Sequence, residues 1–275
     1  MSNPRRSHLP PEMLDYTIDL LHNEQETLKR CCLVSKSWVP RTRKYLFAHI
    51  RFQSLSDLRA WKETFPDPEN SPAYHTHSLL VSYPRGITAE EGDWIRMFSS
   101  VVRLAVVQSH RDEPVSLVPF HNFSPVLKSL RVFSYTFPYS QILNLVYSMP
   151  LLEDLCVIEY GSIGSHRDGT VFQPSTSPVF TGTLKLFLTL GMEHITRRLL
   201  GLPNGLHFRK LVFTWHREEH VRWMTALVVG CSDTLECVDI GYSMTCTSLW
   251  LLCQDQPLTQ TSICRESPVG SDRLL

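Results

Sequence analysis

A short apolar pattern, apolar-x-x-apolar-x-apolar, keeps returning along this chain and constrains its fold more than any other feature. It occurs at Phe47/Ile50/Phe52, Thr76/Leu79/Val81, Val101/Leu104/Val106, Leu127/Leu130/Val132, Leu152/Leu155/Val157, Phe208/Leu211/Phe213 and Leu235/Val238/Ile240. A degraded copy is read at Leu184/Phe187/Thr189, and with it the central positions fall 24 to 32 residues apart. Alternate residues of an extended segment share a face, so each copy predicts a short strand with one apolar side. The residues between copies must carry the chain back to start the next parallel strand, and a helix does this compactly. Units of this kind bury a continuous core by stacking, which none could bury alone.

Helical returns are visible between the copies. Ser56-Asp57-Leu58-Arg59-Ala60-Trp61 opens one, with Ser56 as its expected cap. Gln141–Met149 is a second, stopped by Pro150, and Ile195–Leu202 a third, stopped by Pro203. His220–Gly230 is a fourth, with Val221, Met224, Leu227 and Val228 on one face. The period matches leucine-rich repeats, which run to roughly 20–29 residues. The copies are irregular, and they lack the asparagine or cysteine that often follows the strand in regular arrays. The expected fold class is α/β: an irregular leucine-rich-repeat-like solenoid with a short-stranded parallel sheet over residues 51–245, preceded by a small helical module over residues 7–50. An ordinary α/β domain with parallel strands is the alternative. Residues 161–182, rich in Gly, Ser, Thr and Pro, read as a long inserted loop and a candidate binding segment. The loops at Tyr83-Pro84 and Phe137-Pro138-Tyr139 are further candidates, and no substrate-binding residue is assigned. The pattern stops after Ile240. The tail, residues 246–275, does not repeat it, is expected to be disordered beyond Asp255, and suggests an array cut short.

The first fifty residues obey a different rhythm. Pro10 and Pro11 suit a first helical turn. Met13, Leu14, Ile18 and Leu21 follow at helical spacing. Asn23 and Glu26 have the offset of a capping box. Leu28, Cys32, Ser35 and Trp38 predict one face of a second helix, and Pro40 a break before a third. The opening Leu9-Pro10-x-Glu12 and the segment Leu33-Val34-Ser35-Lys36-x-Trp38 resemble the F-box, and the run CCLVSKSWVPRTRKYLF looks like the expanded fungal (mushroom-type) F-box families. Thr17 stands where that family prefers an aliphatic residue, and the turn His22–Thr27 is longer than its commonest form. The resemblance implies a module that docks on a Skp-type adaptor, and through it on a cullin. By position the adaptor anchors would be Leu9, Pro10, Ile18, Leu21, Leu28, Leu33, Val34 and Trp38. Sequence alone leaves open which of these, Leu21 and Leu28 above all, pack inside the module instead.

Composition narrows the function further. The chain has 275 residues, 43% of them hydrophobic, enough for a substantial core. Lys+Arg and Asp+Glu are both 27, so no net charge draws it to nucleic acid or to an acidic membrane. Its 8 cysteines form no CxxC pair, no secretory leader is evident and no apolar run is long enough to span a bilayer. Reduced thiols in a cytoplasmic or nuclear protein are expected. His216-Arg217-Glu218-Glu219-His220 fits the bare HxxEH string of inverted zinc proteases, but His216 directly follows a predicted strand, so no continuous helix carries both histidines. His75-x-His77 lacks companion ligands, and Arg41-x-Arg43-Lys44 reads as a solvated helix face or a charged flank of the adaptor surface. No reaction centre, metal or cofactor is expected. The expected role is a non-catalytic substrate-recognition subunit of an SCF-type ubiquitin ligase whose repeats hold a protein substrate. The alternative is a repeat-based binding protein outside any ligase.

Overall fold

The structure, a computed structural model, describes residues 10–67, 69–83, 88–108, 117–121, 123–134, 139–159, 178–188, 191–215, 218–242 and 261–264. Three helices open the chain: α1 (Pro11–Leu20), α2 (Gln25–Val34) and α3 (Val39–Leu46). From His49, strands alternate with return segments. The strands are β1 (His49–Phe52), β2 (Ser78–Tyr83), β3 (Arg103–Gln108), β4 (Ser129–Ser134), β5 (Asp154–Glu159), β6 (Thr183–Phe187), β7 (Lys210–Trp215) and β8 (Cys237–Tyr242). They pair in chain order and all run parallel. The described residues thus form an α/β fold, as expected. The returns include α4 (Leu55–Thr64), α5 (Ala89–Arg96), α6 (Tyr139–Tyr147), α7 (Met192–Leu200) and α8 (Glu219–Gly230). Short 3-10 turns lie at Pro72–His75 and Val118–Phe120. None of the helices described is long and apolar enough to cross a membrane.

The register explains the recurring pattern. Ile50, Leu79, Leu104, Leu130, Leu155, Leu184, Leu211 and Val238 stand side by side across the sheet. Two residues on, Phe52, Val81, Val106, Val132, Val157, Leu186, Phe213 and Ile240 form a second row. Apart from Ile240, which is exposed, both rows enter one continuous core with Leu58, Ile95, Ile142, Ile195 and Leu227 from the helices, the row ends Ile50 and Val238 packing against it partly buried. Burying each such side chain is worth about 1.5–3 kcal/mol. On the other face Phe133, Cys156, Ile158, Phe187 and Val212 make a second, smaller cluster.

Four local expectations are corrected. The sixth copy is displaced: Leu184, not Phe187, pairs with Leu155 and holds the central position, while Phe187 points to the opposite face. With Leu184 in place the central positions are 25 to 29 residues apart. The apolar residue that opens this unit comes one position early, as Phe180, fully buried and stacked on Phe208 at 4.7 Å, while Thr181 is exposed. The cap of α4 is Ser54, whose hydroxyl accepts from the Asp57 N–H in a reciprocal capping box; Ser56 lies inside the helix. The Asn23/Glu26 box does not form, because α2 begins at Gln25 and Glu26 instead pairs with Lys29 at 2.6 Å. Nor does α2 reach Trp38: Ser35 is extended, and Trp38 stands just before α3, with no capping bond from its side chain.

In the tail, residues 261–264 form β9 (Thr261–Cys264), antiparallel to β8 and covering part of its edge. Most of the inserted loop, and the loops after Tyr83 and before Tyr139, lie outside the described residues.

The corrected register makes a stability prediction. Leu184→Ala is expected to cost about 2–5 kcal/mol by opening a core cavity. Lys185→Ala, one residue along on the other face, should change stability by less than about 0.5 kcal/mol. Urea denaturation of the two variants separates them, and equal losses would contradict the register.

Candidate functional site

The helical module is held by one polar knot. Asp19 on α1 accepts from Arg41 Nε at 2.7 Å, from Arg41 Nη2, and from the Tyr45 hydroxyl at 2.7 Å, so one carboxylate ties α1 to α3. These hydrogen bonds, the Arg41 pair first, bring the Asp19 carboxyl down to about 2. The same contact raises the Tyr45 phenol above its ordinary value. Inside, Ile18, Leu28, Cys31 and Thr42 are buried, and the Thr42 hydroxyl donates to the Trp38 carbonyl at 2.7 Å. The knot has a pH signature. A carboxylate whose pKa is lower folded than unfolded contributes stability that is full above its unfolded value. That contribution fades as pH falls from about 4 towards 2. Hydrogen exchange of α1 and α3 should therefore speed up over this range, and Asp19→Asn should remove the slope. An unchanged slope in the variant would contradict the knot. The effect is modest, because both partners are about one-third exposed.

The eight expected anchors divide into groups. Leu33 and Val34, at the end of α2, stand 88% and 68% exposed. Pro10 is exposed; Leu21 and Trp38 are partly buried. Ile18 and Leu28 face inward and fill the module's core, so they support the surface rather than form it. Leu9 lies outside the described residues. Thr17 is on the surface, its hydroxyl donating to the Met13 carbonyl at 2.8 Å, so it takes no core position.

Sequence reasoning missed three residues. Met13, Tyr16 and Leu20 lie at i, i+3, i+7 on the outer face of α1, and all are more than half exposed. The signal was present: α1 carries two apolar rows, and so small a module can bury only one. Five large apolar side chains, Met13, Tyr16, Leu20, Leu33 and Val34, thus stay in water on two short helices. These five side chains are the candidate interaction residues of the module.

Among the described residues, no group of three or more His, Cys, Asp or Glu side chains is placed to hold a metal. His220 is buried, while His216 and Arg217 of the HxxEH string lie outside the described residues. Cys31, Cys156 and Cys231 are buried free thiols, and burial pushes Cys231 up to about 11, away from the reactive thiolate. No family model, no curated protein and no solved structure matches the chain.

Proposed function

We propose that the chain is an F-box protein: a non-catalytic subunit that joins a protein substrate to an SCF-type ubiquitin ligase. The observation that carries the reading is the exposed apolar surface of α1 and α2. It lies on the same helices whose sequence resembles the F-box, and it includes Leu33 and Val34 of the matching segment. A helix-lined apolar patch is what an adaptor's helices would cover, with large side chains as anchors. The parallel strands stacked in chain order support the companion reading, an irregular leucine-rich-repeat array that presents one long face to a substrate. The chain then needs no nucleophile. Tethering holds the substrate's lysines near a charged conjugating enzyme, and the rate gain comes from local concentration.

Co-expression of the full chain with a Skp-type adaptor and a cullin N-terminal region tests the reading. A complex of all three on size exclusion is the expected result. A folded chain that elutes alone would leave a repeat-built binding protein outside any ligase.

A further inference from the structure

The core takes every second residue of the strands, and the residues between them line a cleft. One cavity of about 580 Å³ opens over β1–β4 and is lined by His49, Arg51, Arg103 and Arg131. A second, of about 490 Å³, adjoins it at Gln25, His49 and Arg103, reaches Lys44 of the helical module and includes His77, just before β2. In a chain with equal numbers of acids and bases, no Asp or Glu is among the described residues lining either cavity. Arg51 and Arg103 make no ion pair among the described residues. His49 is held below its ordinary value by desolvation first, with the nearby Arg103 and His77 adding to it.

We infer that this cleft binds an extended protein segment bearing at least two anionic side chains, phosphorylated or carboxylic. The register sets their spacing. Arg51, Leu80, Ala105 and Arg131 are neighbours on successive strands. The outer two are therefore three strand spacings apart, about 14 Å, with Leu80 and Ala105 as the apolar floor between. An extended segment crossing the strands advances about 13 Å over four residues, so anions at i and i+4 reach both cations, with Arg103 between them. Arginine suits this task through its planar, paired donors. Single-stranded nucleic acid is the poorer fit, because Tyr45, in the adjoining cavity, is the one Phe, Tyr or Trp among the described residues lining the cleft, and successive bases would have no stacking platform over the strands.

This inference deepens the ligase reading by giving the substrate's chemical class, and rests on that reading only for what happens after capture. The test uses the full chain without adaptor and reads fluorescence anisotropy at physiological salt. The probes are short labelled peptides alternating glycine with phosphoserine, with glutamate or with unmodified serine, and an oligouridylate of matched length. The serine peptide should not bind. Binding of the phosphoserine peptide alone assigns a phosphorylated ligand, and binding of the glutamate peptide as well assigns an acidic one. Arg51→Ala/Arg103→Ala should weaken either at least about tenfold, while Arg222→Ala on α8 should leave it unchanged. The inference is overturned if the folded chain binds neither anionic peptide, if the double variant binds as well as wild type, or if the oligouridylate binds as tightly as the peptides. Peptide binding without adaptor binding would sink the ligase reading alone; adaptor binding without peptide binding would sink this one alone.

Discussion

Replacing Gly191 by alanine should destabilise the chain by about 2–5 kcal/mol, although no special backbone angle is involved (its φ is −90°). The reason is space. A Cβ on Gly191 would lie 1.8 Å from both Cζ and the hydroxyl oxygen of Tyr139. Tyr139 opens α6, is buried, donates to Glu159 Oε1 at 2.8 Å, and stacks on His194 at 5.8 Å. Glu159 Oε2 in turn accepts from the Gly191 N–H at 3.3 Å. The added methyl must therefore displace a buried ring, and with it hydrogen bonds that join α6, β5 and the start of α7. Urea denaturation measures the loss. The double variant Gly191→Ala/Tyr139→Ala should lose less than the sum of its singles, because removing the ring relieves the clash. A single variant within about 0.5 kcal/mol of wild type would show the close approach to be wrong.

The second large effect is on binding. Leu33→Asp/Val34→Asp should weaken the Skp-type adaptor complex by at least about a hundredfold, because two charges would enter a desolvated apolar patch. Stability should stay within about 0.5 kcal/mol of wild type, since both side chains already stand in water. This pairing of outcomes separates an anchor from a structural residue. By contrast, Leu28→Ala should destabilise the module itself, as the side chain is fully buried. Isothermal titration beside a thermal melt reads both quantities. Unchanged affinity in the double variant would remove Leu33 and Val34 from the docking surface.

Much of the array was legible because strand spacing is a local property. Leu104, Leu130, Leu155 and Leu211 each sit in an apolar triplet, Leu79 in one opened by Thr76, and each holds the predicted place in the register. The sixth unit was misread where packing overrode local pattern: Phe180 fills the space one residue early, and Phe187 offered a false centre. Helix α4 was found but its cap was misplaced, because Ser54 and Ser56 are both competent caps and only the reciprocal contact with Asp57 decides between them. The module's two surfaces were harder. Ile18 and Met13 look alike in sequence, and only the way α1 packs sends one inward and leaves the other in water. The cationic cleft left no linear trace at all. Arg51, Arg103 and Arg131 are far apart in the chain, and the parallel register alone brings them to one cavity.

Hydrogen exchange of the full chain, with and without a Skp-type adaptor, tests the central claim most directly. The proposed docking on an adaptor predicts new protection confined to α1 and α2, with the strands β2–β7 unchanged. No protection at saturating adaptor, or protection centred on the strands, would contradict it.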